Sequence, residues 1–339
     1  MSKYYQSEKF AYIRHSHGEK LVGGYHRDGD RGLELGSGVS AETNSDQEGK
    51  LPPGVDLRPY LNPVVNHSGV ATCSVEAIAS AYEYLIQRHQ QADITISRWF
   101  TYYNARAVFE DASDLAANHL VADTGTSFAS AITALQKYGA CGADIYTDQP
   151  GIINEKPPEL VYQSILPYTL ELPIAVAPDL DSIKFHLAAG YPVAFGLEVF
   201  TSFGGVAEDG LVLLPDLEIE SHLGSHALLA VGYSDLDEVV IARNSWGVNW
   251  GDRGYCYLPY EYFKNPDLLG NAWLLRQHQN LPPTQDHWLV GDSLFYQEEY
   301  LEEFALDDLP LDIGGEMDIS EMLEDDDYLS ESELAALTE

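Results

Sequence analysis

Basic residues are scarce in this chain. Eighteen Lys and Arg stand against 54 Asp and Glu in 339 residues, a formal net charge of -36. A surface of that sign repels phosphate backbones and anionic lipid, so neither nucleic acid nor a membrane is an expected partner. Cysteine is nearly absent too, and three residues give no disulfide framework. No stretch approaches the roughly 20 apolar residues that cross a bilayer. Met1–Glu8 lack the apolar centre of a secretion signal. These absences make the cytoplasm the expected compartment.

What is present is enough for a large core: 45% hydrophobic residues, with 22 Tyr and 5 Trp, which excludes global disorder. The length suits two average domains, or one two-lobed domain with tails. Residues 1–50 carry much Gly, Ser, His and charge, with a low-hydrophobicity run over 27–50, and read as an extended arm or short pro-like segment. A dense core begins at Leu51-Pro52-Pro53-Gly54 and is expected to run to about residue 280. Beyond Arg276 there is no Lys or Arg. Residues 281–339 read as an acidic, largely disordered tail with short amphipathic pieces at 319–323 and 329–337. Such a tail suits docking of a protein partner, masking of a cleft, or a C-terminal export signal.

Within the core, Val75, Ile78, Ala79, Tyr82, Leu85 and Ile86 fall on one helical face over 72–87. Further helices are expected over 128–138, stopped by Gly139, and over 180–189, stopped by Gly190. From Tyr191 the texture changes to short β-branched or aromatic runs separated by turns, giving strands over 192–200, 227–233, 238–243 and 254–258. Helices first and antiparallel strands after them read as α+β in two lobes.

Cys73 follows Thr72, a good N-cap, and so falls in the first turn of the 72–87 helix. Unpaired N–H groups and the helix dipole there favour a thiolate, the form that attacks carbonyls. A buried structural cysteine fits the position equally well until a base is found. Ser225-His226 opens one strand, and the next ends in Asn244-Ser245-Trp246-Gly247. In a hairpin folded about Asp235–Leu236, His226 and Asn244 become cross-strand neighbours. An amide oxygen accepting from one ring nitrogen fixes the tautomer and leaves the other nitrogen as a base. A metal bound by His222 and His226 is the competing idea. The strand-like run and the missing zincin Glu argue against it. His15 and His17 read as a solvated arm, Asp325–Asp327 as a solvated acidic run, and the paired tyrosines as core packing.

At this point the residues resemble a known family. Leu51-Pro52-Pro53-Gly54-Val55-Asp56-Leu57-Arg58, Pro63-Val64 and Cys73 resemble the start of mature papain-like cysteine peptidases. Ser225-His226-Ala227 with Val231-Gly232-Tyr233 is similar to their histidine strand. Asn244-Ser245-Trp246-Gly247, Trp250-Gly251 and Gly254-Tyr255 are similar to their asparagine motif. Order and spacing agree, with the histidine 153 and the asparagine 171 residues after the cysteine. Residues 97–106 and 124–127 look like the bacterial branch. The resemblance implies a papain-like two-lobed α+β fold, a helical left lobe and an antiparallel β right lobe with the active-site cleft between them. It implies Cys73, His226 and Asn244 as a catalytic triad, Trp246 as its shield, and Gly125 as a backbone partner for extended substrate. A peptide or protein substrate follows, with no metal or cofactor.

The chain departs from the family's pattern near the nucleophile. His67 stands where the family has the Gln of its oxyanion hole, and losing one such donor typically costs about 10²–10³ in rate. Ala71-Thr72 replace Gly-Ser, and Ser74 replaces Trp. Alternatives to the peptidase are therefore a weak or inactive papain-fold peptide-binding protein, or an acyl transferase using the same triad. Val70 stands at the family's first disulfide cysteine, and Cys141 and Cys256 read as small buried residues.

Overall fold

The computed structural model describes residues 3–6, 10–15, 18–28, 51–67, 69–90, 92–109, 123–149, 151–168, 170, 172–206 and 209–276. The expectations about the acidic tail and about His17 lie outside these residues.

The helical lobe is built on α1 (Cys73–Gln90), α2 (Arg98–Phe109) and α3 (Phe128–Tyr138). The apolar face expected of α1 is buried throughout, from Val75 to Ile86. Its polar side is buried as well. Glu76 and Glu83 both bind the Arg98 guanidinium, so the charges that would point to water in a surface helix are paired with α2 instead. Ser127 Oγ caps α3 by accepting from Ser130 N. Gly139 ends that helix at φ 72°. Short helices α4 (Glu159–Tyr162) and α5 (Leu180–Ala188) follow, the second capped by Asp179.

The other lobe is a seven-stranded sheet. Its strands are β4 (Gly54–Asp56), β5 (Leu172–Val176), β6 (Val193–Phe200), β7 (His222–Ser234), β8 (Val239–Arg243), β9 (Tyr255–Pro259) and β10 (Leu269–Arg276). Their order is β5-β10-β6-β7-β8-β9, with β4 also paired to β7. A five-residue helix, α6 (Tyr260–Lys264), follows β9. The expected hairpin is present, pairing Leu229 with Arg243 and Ala230 with Ala242 before a register shift. Helix α1 lies across the long strand β7, so its first turn meets the middle of that strand.

The N-terminal arm is more ordered than its composition suggests. β1 (Lys3–Gln6), β2 (Ala11–His15) and β3 (Gly18–Val22) form a separate antiparallel meander. Ile13, Leu21 and Val22 bury its apolar positions, and residues 23–28 then run on between the two lobes.

Candidate active site

His226 and Asn244 meet, although not as paired strand residues: the β7–β8 register sets Leu229 against Arg243, and His226 Nε2 lies 2.8 Å from Asn244 Oδ1. The β7–β8 ladder stops at Arg243, whose guanidinium donates to the Asn62 and Pro63 carbonyls. Asn244 N–H turns away to Gly254 O, which frees its side chain to reach the histidine. Ser245 N–H also donates to Asn244 Oδ1, at 2.8 Å. The Ser245 N–H can only donate, which identifies that atom as the carbonyl oxygen; Nε2 at the same oxygen must then donate and carry the proton. Nδ1 keeps its lone pair, and it has no hydrogen-bond partner among the described residues.

Cys73 opens α1, at the helix end the sequence indicates. The Thr72 cap is not made. Its hydroxyl has no partner among the described residues, and Glu76 N–H instead reaches Thr72 O in the first helical bond. The Cys73 sulfur lies against the backbone N–H of Ala227, the residue after His226. Cys73, Ala227 and Asn244 line one small cavity, so the structure brings together the cysteine, the asparagine and the residue adjoining the histidine. Ser74 has a structural job in place of the family's tryptophan: its buried hydroxyl donates to Thr126 O at 2.7 Å, tying α1 to the 124–127 segment.

His67 is buried beside them. Its N–H donates to Ser245 O and Gly247 N–H donates to Val65 O, so the 65–67 segment pairs with the asparagine loop. Neither ring nitrogen of His67 has a partner among the described residues. Trp246 covers the histidine, its ring centroid 5.1 Å from that of His226, and is itself wedged edge-on against Phe203 and Trp250. His222 and His226 share a strand rather than a helical face. His222 Nε2 binds Glu198 at 2.7 Å, and no metal-binding cluster occurs among the described residues. Cys141 and Cys256 are buried and free, apart from the Cys73 cavity.

The arm lies over this constellation, which neither composition nor spacing reveals. Lys20 Nζ donates to Trp246 O at 2.8 Å. Gly24 abuts the Ala71 backbone so closely that a Cβ would stand 2.9 Å from three of its atoms. Tyr25 bridges Thr126 in parallel, with Thr126 N–H donating to Gly24 O and His26 N–H to Thr126 O, both 3.1 Å. Extended-backbone pairing thus falls on Thr126. Gly125 N–H is taken by Tyr102 Oη, and the missing Cβ of Gly125 makes room for Gly24 O. Arg27 pairs with Glu198, and Asp28 accepts from Ala129 N–H and Trp273 Nε1.

Under this cover Cys73 is 2% exposed and His226 fully buried. Burial pushes the Cys73 thiol up to about 12, against the pull of the Ala227 and Ser74 N–H groups. Burial likewise lowers His226 to about 4, opposed by its bond to Asn244. His67 falls to about 3 through burial, the neighbouring His226 and the Lys20 charge. The helix start alone does not make a thiolate here. Desolvation outweighs it, and burial favours the neutral form of both Cys73 and His226.

The family model of the papain family cysteine proteases matches residues 173–265. An uncharacterised peptidase C1-like protein of Acanthamoeba polyphaga mimivirus is 30% identical over 226 residues, covering 63% of this chain and 69% of that protein. The thiol protease aleurain of Arabidopsis thaliana is 38% identical over 87 residues, 22% of this chain and 21% of its own length. Among solved structures, xylellain, a cysteine protease from Xylella fastidiosa, superposes with a TM-score of 0.61 at 31% identity, over 68% of this chain and 88% of that one. Digestive procathepsin L2 of Tenebrio molitor larval midgut shares the fold at 18% identity, with a TM-score of 0.59 over 76% of this chain and 78% of its own. With an α+β fold of two lobes and a relative this similar over two thirds of its length, the chain belongs to the papain family of cysteine proteases.

Proposed function

We propose that the chain cleaves peptide bonds through a thioester acyl-enzyme, with Cys73 as nucleophile, His226 as acid and base, and Asn244 orienting the imidazole. The observation that carries this reading is the buried His226–Asn244 pair with an unengaged Nδ1, next to the strand residue that touches the Cys73 sulfur. Sulfur attacks the peptide carbonyl carbon while its proton passes to Nδ1. The oxyanion collapses, the C–N bond breaks, and Nδ1–H protonates the leaving amine. Water, deprotonated by Nδ1, then attacks the thioester and releases the acid. His67 supplies a neutral N–H to the oxyanion. Trp246 keeps water from the His226–Asn244 bond. A substrate backbone pairs with Thr126, while Gly125 keeps the approach open.

Residues 18–28 mask the site in this reading. They lie on the Ala71 backbone, Thr126 and the Trp246 carbonyl beside Cys73 and His226, so turnover requires the arm to lift. Treatment of the full chain with an epoxide thiol trap, followed by peptide mapping, tests the assignment. Labelling is expected at Cys73 and to be lost in His226→Ala. Equal, slow labelling of Cys73, Cys141 and Cys256 would rule out an activated nucleophile.

A further inference from the structure

Two glycines in the sheet are not required by the backbone. Neither Gly196 on β6 nor Gly270 on β10 sits in the left-handed region, so any residue suits their conformation. What excludes a side chain is the Tyr25 ring. A Cβ on Gly196 would come within 2.3 Å of Tyr25 Cε1, and one on Gly270 within 2.7 Å of its hydroxyl oxygen. The ring therefore lies in a slot whose walls are bare backbone. Phe128 closes it from the helical lobe, its ring centroid 4.9 Å away.

The end of the slot is built for a hydroxyl. The β10–β6 register shifts between Leu269 and Ala272, so Asn271 N–H leaves the ladder. It donates to Tyr25 Oη at 2.9 Å, and Tyr25 Oη in turn donates to Asn271 Oδ1 at 3.1 Å. One residue thus supplies the single donor and the single acceptor that a phenol needs. The slot adjoins the reacting groups, because Gly196 pairs with Ala227, which lines the cavity of Cys73.

From this geometry we infer that the slot of Gly196, Gly270 and Asn271 selects substrates carrying a tyrosyl side chain, with Asn271 reading the hydroxyl and Tyr25 occupying the place of that side chain in the masked chain. The inference rests on the peptidase reading above and adds its substrate class. A phenylalanine fills the walls but leaves the Asn271 N–H unpaired. An aliphatic side chain leaves the ring-shaped space part empty as well. Sites that pair a substrate hydroxyl reject the analogue lacking it far more strongly than sites that merely sense size.

The test uses full-length Tyr25→Ala, which vacates the slot, with N-acetyl-tyrosinamide, N-acetyl-phenylalaninamide and N-acetyl-leucinamide as binding probes. The tyrosyl probe is expected to bind about tenfold or more tighter than the phenylalanyl one. Gly196→Ala added to the same chain should abolish that preference. Peptides differing only in Tyr, Phe, Leu or Arg should rank the same way in hydrolysis. Equal binding of the three probes, or a preference that survives Gly196→Ala, would overturn the inference. Cys73 labelling by the thiol trap in the same samples reports the nucleophile separately: labelling without side-chain preference defeats the slot alone, whereas probe binding without labelling defeats the peptidase reading. If Tyr25→Ala does not fold, Gly24→Val, which loosens the arm at the Ala71 backbone, takes its place with the same three probes: tighter binding of the tyrosyl probe supports the inference, and equal binding of the three overturns it.

Discussion

Acid should lift the arm. In the masked chain His226 is held at about 4 and His67 at about 3, both below the ordinary 6.5, chiefly because they are cut off from water. Lifting the arm rehydrates both rings and returns them towards that ordinary value. A histidine whose pKa is lowered by masking takes up a proton on release, so its contribution to masking is complete above about pH 6.5. That contribution is lost as the pH falls towards the masked values. From pH 7 to pH 5 the shift is about 2 kcal/mol per ring, or roughly thirtyfold in the masking equilibrium. Two neighbouring charged rings repel, so together they give less than the sum, roughly thirtyfold to a thousandfold. The Lys20 ammonium acts in the same sense, since its charge already disfavours a charged His67. Hydrogen exchange at the His26 and Thr126 amides reads the equilibrium directly, because each N–H is bonded across the arm contact at 3.1 Å. After correction for intrinsic exchange, their protection should fall by that factor while buried amides of α1 hold theirs. Constant or rising protection towards pH 5 would refute the argument that burial of these two rings sets the arm's affinity.

Three further outcomes follow from contacts already described. Gly24→Val drives a branched side chain into the Ala71 backbone, 2.9 Å from the ideal Cβ. It should weaken masking by about 1–3 kcal/mol, seen as faster Cys73 labelling with little change in the melting temperature of the core. His67→Ala should lower kcat by about 10²–10³ with a smaller effect on KM, whereas His67→Gln keeps a neutral N–H donor and should retain or raise the rate. Steady-state kinetics on a released arm variant such as Gly24→Val separate the two. Glu83→Ala leaves the Arg98 guanidinium, 2% exposed, with only part of its charge matched. It should cost about 3–5 kcal/mol in a denaturant titration, since an uncompensated buried charge remains.

The site was legible where local pattern and a single turn sufficed. The apolar spacing from Val75 to Ile86 gave α1, and Gly139 marked the end of α3. The turn at Asp235–Leu236 brought the ends of β7 and β8 together, and the departure of Asn244 from the ladder to Gly254 completed its reach to His226. What stayed hidden depends on contacts between distant segments. Residues 18–28 carry no strong pattern of their own, and they become ordered through Trp246, Thr126, Glu198 and Asn271, which lie up to 246 positions away in the sequence. Strand β10 was missed because Gly270 and Asn271 interrupt its apolar run at the bulge. The fate of the polar side of α1 was equally invisible, since only tertiary pairing with Arg98 makes Glu76 and Glu83 core residues. The thiolate expected at the helix tip is opposed by a contact pattern of the same long-range kind: burial of the sulfur in the folded chain pushes the thiol up more than the helix end pulls it down.

The departures from the family's pattern then fall into one group rather than three. Ala71 presents the backbone on which Gly24 rests. Ser74 holds Thr126 O, the same carbonyl that accepts from His26 N–H. His67 lies within reach of the Lys20 charge, and Lys20 is bonded to Trp246 O. Of the altered positions next to the nucleophile, His67, Ala71 and Ser74 therefore meet the arm or the segment that binds it, and Thr72 does not. Random decay of an enzyme has no reason to select contacts with one covering segment, and it would not spare the His226–Asn244 bond or the Arg243 anchors that hold Asn244 in place. The pattern is that of a cleft adapted to a resident peptide. On this argument Ser74→Ala should disturb arm protection at His26 more than it disturbs the trap-labelling rate of an already released chain, and the opposite ranking would return the altered residues to the catalytic step itself.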